Sequence, residues 1–395
     1  MIPRYFEYYN SVRVVAGKHA LGRLPEELLR LGVSRPILIT DKGVVNAGLI
    51  DIVKEHIEGS GVTIGATYDD TPVDSSIHAV NAVADIYRET GCDSIIAVGG
   101  GSVIDTAKGV NIVLSENTDD LMKFRGNNRV RAVMKPFAVI PTTGGTGSEV
   151  TTAAVISNPD ENIKMQFTTP LMLPDFTILD PAMTRTMPPG ITAATGMDAL
   201  THAIESYMSI QRNPVSDEFA FTAIRLIMEN LPVAVSDGAN EDARLAIANA
   251  AMIAGVAFSN AMVGVVHAVA HAVGGVCHVP HGIANAIILP HGMEFNLPKV
   301  RDAVAGMLLP LAGPDVYAST PKKRRAEKAI ETVREFAKEL NRLSGLPLCL
   351  EDAGVRREQL DRVARVAIND GASHFNPIEI EYKDAIGILV RAYGA

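Results

Sequence analysis

The chain has 395 residues, with 36 Lys and Arg against 45 Asp and Glu for a formal net charge of −9. At roughly 150 residues per domain, that length accommodates two or three domains, each able to bury a core. The acidic balance, interrupted only by the short Lys322-Lys323-Arg324-Arg325 run, excludes nucleic acid and anionic lipid as principal partners. Three cysteines (Cys92, Cys277, Cys349), none in a CxxC pair, form no disulfide framework and match a reducing cytoplasm. The opening Met-Ile-Pro-Arg-Tyr-Phe-Glu-Tyr-Tyr segment lacks a basic run followed by an apolar core, so no export signal is expected.

Up to about Pro188, short β-branched runs alternate with helical periodicity. The runs at Val12 to Ala16, Pro36 to Thr40, Thr63 to Tyr68, Ser94 to Val98 and Phe137 to Ile140 predict strands, with amphipathic helices at Val44 to Ile57 and Ser76 to Thr90. Strands separated by helices imply a parallel α/β sheet that binds ligands at the carboxyl ends of its strands. Thr151 to Ser157 and Lys164 to Thr169, joined through Asn158-Pro-Asp-Glu-Asn162, predict a β-hairpin. Pro188-Pro189-Gly190 reads as a breaker and linker, which divides the chain into residues 1–187 and 188–395. Beyond it the pattern is helical: Thr192 to Met208 with Thr192 as N-cap, Ser216 to Glu229, Glu241 to Ser259, Lys322 to Leu343 and Arg357 to Ile368. The expected organisation is an α/β domain followed by an all-α domain.

Three features of the first half suit a nucleotide. Ser94-Ile-Ile-Ala-Val-Gly99-Gly100-Gly101-Ser102 runs from a strand through a triple glycine to a helix start, where backbone N–H groups and the helix dipole favour a phosphate. It is not the GxGxxG fingerprint, and a plain tight turn has the same composition. A second loop, Pro141-Thr142-Thr143-Gly144-Gly145-Thr146-Gly147-Ser148, follows the strand ending at Ile140 and gives the cleft a second wall. Asp41, at the tip of its strand, either accepts the ribose hydroxyls of NAD and repels the 2′-phosphate of NADP, or caps the helix that follows.

The stretch from Leu245 to Met293 contains no Asp, Glu, Lys or Arg but holds five of the ten histidines: His267, His271, His278, His281 and His291. A bilayer span needs an unbroken apolar run of about 20 residues. Asn249, Ser259, Asn260, His267, His271, Gly274-Gly275 and Pro280 interrupt this one, so it reads as buried helices. Asp198 and His202 are spaced i and i+4, which puts both on one helix face, and His267 and His271 repeat that spacing; His281 opens a further helix, Gly282 to Leu289. A lone histidine on an apolar helix is usually a core residue. Several together would each cost several kcal/mol if unpaired, and a divalent cation satisfies them jointly. With only N and O donors, Fe(II), Zn(II), Mn(II) or Co(II) suits the group better than an iron–sulfur or copper site.

Taken in order, Gly99-Gly-Gly-Ser102-Val-Ile-Asp105, Pro141-Thr-Thr-Gly-Gly-Thr146-Gly-Ser-Glu, Gly196-Met-Asp198-Ala-Leu-Thr-His202-Ala-Ile-Glu205 and His267-Ala-Val-Ala-His271 through Pro280-His281-Gly-Ile-Ala-Asn-Ala resemble the hallmark motifs of the iron-containing, group III alcohol dehydrogenases. The resemblance spans nearly the whole chain. It implies a Rossmann-like dinucleotide-binding domain, a helical domain of the dehydroquinate synthase-like type, an active site in the cleft between them, and a homodimer or larger assembly. It implies further that Asp198, His202, His267 and His281 ligate the metal and that His271 passes protons near the substrate. Asp41, Gly99, Gly100, Gly101, Ser102, Thr142, Thr143, Thr146 and Lys164 would then line the NAD site. The chain departs from the family pattern at Asp74, where many members have Asn, and a carboxylate there would repel a pyrophosphate.

The expected reaction is reversible hydride transfer between a short-chain primary alcohol or diol and NAD, with iron(II), or else zinc(II), as Lewis acid. Glycerol, lactaldehyde, 1,3-propanediol or hydroxyacid oxidation on the same architecture is the nearest alternative, and a metal-dependent hydrolase or a non-catalytic nucleotide-binding scaffold the remote one. His278 and His291 read as structural, His374 as a loop residue, and Lys164 also fits a solvated hairpin lysine.

Overall fold

Strands of a parallel sheet are covered on both faces, so their sequences are continuous apolar runs. The computed structural model describes residues 3–161 and 163–394. Its strands are β1 (Arg13–Ala16), β2 (Pro36–Ile39), β3 (Ala66–Tyr68), β4 (Ser94–Gly99), β5 (Gly126–Asn127), β6 (Phe137–Pro141), β7 (Ala153–Asn158), β8 (Ile163–Thr168) and β9 (Phe176–Leu179). Six of them form a parallel sheet in the order β1-β9-β6-β4-β2-β3. Ile37, Ile39, Ile95, Ala97, Phe137 and Val139 point into the core on one face; Leu38, Ile96, Val98, Ala138 and Ile140 fill the other. β7 and β8 pair antiparallel as the predicted hairpin. Asn162 of its connection lies outside the described residues, as do Met1 and Ile2 of the opening segment.

Because β2, β4 and β6 are neighbours, Asp41, the glycine loop and the hydroxyl loop all leave the sheet at adjacent carboxyl ends. The N–H of Thr142 donates to the carbonyl of Gly99 at 3.1 Å, which joins the second and third of these loops directly. The predicted helix Val44 to Ile57 is two helices, Lys42–Asn46 and Leu49–Ile57, because Gly48 takes a left-handed φ of 74° between them. Strand β9, in a segment with no predicted element, is inserted between β1 and β6.

The chain divides into Tyr9–Met187 and Pro188–Ala395, the latter together with the short segment before Tyr9. The sequence reading had placed that segment in the α/β domain. Tyr8 belongs with the helices because its ring stacks on Phe219, with centroids 6.0 Å apart.

In the helical unit the breaker cluster is itself a helix start: Pro189 is the first residue of Pro189–Met208, where its missing N–H costs nothing. Thr192 is therefore not the N-cap. It sits in the first turn, and its hydroxyl donates back to the carbonyl of Pro188 at 3.0 Å. The His281 helix does not stop at Leu289 but continues to Ser319, absorbing Pro290, Pro298, Pro310 and Pro314 through non-helical angles at Val300 and Gly313. Pro214–Ser236 and Glu241–Ala261 have the length and hydropathy of membrane spans, yet they pack on each other and on Pro189–Met208.

His291 lies inside this bundle, 3.9 Å from Glu294, which Arg334 also holds at 2.8 Å. Burial, helped by Arg334 and Arg391 and opposed by Glu294, lowers its pKa from 6.5 to about 4. Between those values the unfolded chain binds a proton that the native state refuses, so stability rises with pH across this window and falls on acidification. His291→Gln is expected to remove up to about 3 kcal/mol of the stability difference between pH 7 and pH 4. Urea unfolding of both proteins at several pH values checks this; parallel pH profiles would contradict it.

Candidate active site

Asp198, His202 and Glu205 occupy positions i, i+4 and i+7 of the helix Pro189–Met208 and are all buried. His267 is on the helix Val265–Cys277, and His281 is the first residue of the next one. The contact that sets His281 beside Asp198 is a close approach at Gly282, where a Cβ would lie 2.4 Å from the carbonyl oxygen of Ala194. Any side chain at Gly282 would push the two helices apart.

The result is one carboxylate and three imidazoles, each offering one donor atom, with those atoms all within 4.8 Å of one another. Nε2 atoms of His281, His267 and His202 stand 3.4, 3.8 and 4.0 Å from Asp198 Oδ1. These residues fit a divalent cation: the donors are N and O, converging from largely buried side chains, and each imidazole has a ring nitrogen turned toward the carboxylate. Burial foremost, with the neighbouring His202 and His281, holds His267 well below its ordinary value. Burial works to raise Asp198, but the three imidazoles and Asn285 outweigh it and the carboxyl is held below its usual range.

Groups around the donors orient them. Glu205 accepts from His267 Nδ1 at 2.6 Å, from the Val266 N–H at 2.7 Å and from the His267 N–H at 3.1 Å. Burial pushes Glu205 up to about 7 against those N–H groups. His202 stacks between Phe258 (4.3 Å) and His267 (4.6 Å). The Asn285 amide donates to Asp198 Oδ1 at 2.6 Å and lies 3.1 and 3.3 Å from the Nε2 atoms of His281 and His267. His271 stacks on His281 at 5.2 Å, and its Nδ1 is 3.0 Å from Asp370 Oδ2. Asp370 also caps the turn Gly371–Phe375 by accepting from the Ala372 N–H at 2.8 Å, so the carboxylate that faces His271 is itself fixed. The side chains of His271 and His281 are 32% and 40% exposed, which marks the accessible side of the group.

In the α/β unit, Gly100 is the N-cap of the helix Gly101–Ser115 and, lacking a side chain, offers no cap to its first N–H groups. Ser102 spends its hydroxyl on the carbonyl of Val73. Asp41 caps the following helix by accepting from the Val44 N–H at 2.9 Å. Lys164 pairs with Asp74 at 2.9 Å, both side chains exposed. His278, at the left-handed end of its helix, and His374, in the Gly371–Phe375 turn, are exposed and stand apart from the donor group. Glu205, Asn285, Phe258 and Asp370 received no role from the sequence; of these, Glu205 could have been found as the next residue of the Asp198, His202 stripe.

Two family models match the chain, iron-containing alcohol dehydrogenase over residues 11–181 and the C-terminal model of the Fe-containing alcohol dehydrogenase family over residues 192–393. Among relatives, the NAD-dependent methanol dehydrogenase of Bacillus methanolicus is 34% identical over 380 residues, 96% of this chain and 97% of that protein. The 1,3-propanediol dehydrogenase of Klebsiella pneumoniae is 34% identical over 395 residues, 99% of each. The crystal structure of a 1,3-propanediol oxidoreductase superposes with a TM-score of 0.94 at 34% identity, covering 99% of this chain and 100% of that one. The chain therefore belongs to the iron-containing alcohol dehydrogenase family, metal-dependent oxidoreductases acting on alcohols.

Because Glu205 fixes the His267 ring through Nδ1, Glu205→Ala is expected to weaken metal affinity by about 10- to 100-fold. Competition against a chromophoric chelator measures this, and an unchanged affinity would deny Glu205 the role.

Proposed function

We propose that this enzyme transfers a hydride reversibly between a short-chain primary alcohol or diol and NAD, with Asp198, His202, His267 and His281 as ligands of one divalent ion. The observation that carries the reading is the convergence of those four donors within 4.8 Å. Iron(II), the family's metal, is the first choice and zinc(II) the second, since both accept three imidazoles and a carboxylate. When bound, the ion supplies Lewis acidity toward the substrate oxygen and the nicotinamide exchanges the hydride. The alcohols in the relatives' names, methanol and 1,3-propanediol, support a small alcohol.

The chain's own residues do the rest. Asp370 orients His271 through Nδ1, and the imidazole takes or returns the alcohol proton on the accessible side of the donor group. The N–H groups after Gly100, which its missing side chain leaves without a cap, receive the pyrophosphate together with Gly99, Gly101, Ser102, Thr142, Thr143 and Thr146. Lys164 joins them, tethered to Asp74, so the Asp74 carboxylate is partnered rather than left to repel the phosphates. Asp41, at the end of β2, caps a helix and selects NAD over NADP. The α/β unit carries the nucleotide and the helical unit the ion. A homodimer in a reducing cytoplasm completes the reading.

Iron-loaded, zinc-loaded and metal-free protein, each given methanol, butanol, 1,3-propanediol and the matching aldehydes, should change nicotinamide absorbance only when metal is present. Asp198→Ala and His267→Ala should each lower kcat/KM by about 1,000-fold or more; full turnover in either would refute the ligand assignment. Asp41→Gly should raise the NADP to NAD ratio of kcat/KM by about 10-fold, as expected for relief of one charge repulsion.

A further inference from the structure

Lys108 is fully enclosed on the helix Gly101–Ser115 and reaches no surface on which a nucleotide could lie. Its ammonium donates to Ala153 O at 2.7 Å, Thr151 O at 2.9 Å, Thr151 Oγ1 at 3.1 Å and Ser148 Oγ at 3.2 Å. One turn earlier on the same helix, Asp105 accepts from Ser148 Oγ at 2.8 Å and from the Val155 N–H at 2.9 Å. The proton count agrees: the Ser148 hydroxyl donates to Asp105 and accepts from Lys108. The helix that follows the glycine loop thus grips the segment that follows the hydroxyl loop, from Ser148 to Val155.

The grip sets a distance. A Cβ on Gly100 would lie 3.2 Å from Thr143 Cγ2, and one on Gly101 would lie 3.0 Å from Thr146 Cγ2, so the two loops are in close contact and a methyl group at either glycine would press its neighbour aside. Burial drives Lys108 down to about 8 against the pull of Asp105 and Glu149, and burial pushes Glu149 up to about 7. Burying these charges is a costly way to join two elements that an apolar side chain of the same length could also fill. What an apolar side chain lacks is direction: four oxygen acceptors around one ammonium define where Ser148 and Thr151 stand.

We infer that Lys108 is a positioning residue for the nucleotide, holding the hydroxyl loop against the glycine loop, through Ser148 and Thr151, so that the two present one pyrophosphate cradle. This rests on the nucleotide reading given above. Lys108→Met keeps the length and removes the directed bonds. The loops then lose their fixed separation while the sheet below them is unchanged.

The test is binding of NADH, ADP-ribose and adenosine to the full-length metal-loaded protein, followed by calorimetry and NADH fluorescence. In Lys108→Met the affinities for NADH and ADP-ribose should fall together by about 30-fold, as for loss of several directed bonds, with adenosine affinity and metal content unchanged. In turnover KM for NAD should rise with kcat retained at saturation. Ser148→Ala, which removes one link, should lose about 5-fold for both pyrophosphate ligands. Wild-type affinity for NADH in Lys108→Met would overturn the inference. So would equal losses for adenosine and ADP-ribose, which would indicate a general loosening of the unit. If Lys108→Met does not fold, Ser148→Ala decides: a selective loss supports the inference and no loss overturns it. A wild-type protein that binds neither NADH nor ADP-ribose would instead bring down the nucleotide reading itself, and this inference with it.

Discussion

One buried carboxylate sets the geometry of the candidate metal centre. Glu205 lies one turn beyond His202, so anything it holds is positioned relative to Asp198 and His202 by the rigid spacing of a single helix. What it holds is the start of a second helix, through the Val266 and His267 N–H groups, and the His267 ring on that helix. Those N–H groups belong to a first helical turn and have no intrahelical acceptor. The same contact that orients a donor therefore satisfies a helix end that would otherwise be buried unpaired. The apolar, charge-free surround from Leu245 to Met293 makes this effective, because a carboxylate without competing water binds its few N–H partners strongly.

The two units present polar groups by different means. The helical unit concentrates side-chain donors, and its close contacts, such as Gly282 against Ala194, serve to bring those side chains together. The α/β unit offers mostly backbone, and its buried Lys108, with Asp105 beside it, holds loops rather than presenting itself. A dry cluster of imidazoles suits a small cation, and a cradle of N–H groups suits an extended anion.

Much of this was legible in the sequence because the relevant spacings are local. Asp198 with His202, and His267 with His271, announce a shared helix face within four residues, and the glycine and hydroxyl loops lie directly after apolar strands. The groups that were missed act across long separations. Asp370 meets His271 from 99 residues away with no neighbour that marks it out, and Asn285 meets Asp198 from 87, although it lies four residues beyond His281 on the same helix. Strand β9 escaped for a related reason. Four residues between Asp175 and Asp180 show no periodicity, and only their position between β1 and β6 makes them a strand. Asp41 shows the opposite case: the two readings, cap and specificity determinant, need not compete, since the cap uses one carboxylate oxygen and leaves the other.

The place of β9 also orders the events of folding. β1 sits at the edge of the sheet, and its pairing in that sheet is with β9, residue by residue from Arg13 with Phe176 to Ala16 with Leu179. During synthesis β1 emerges early and must wait, without its strand partner, until Leu179 has left the ribosome. The α/β unit thus closes by its longest-range contact, the kind that makes folding slow. For that interval the backbone groups of β1 are unpaired and open to misassociation with another strand.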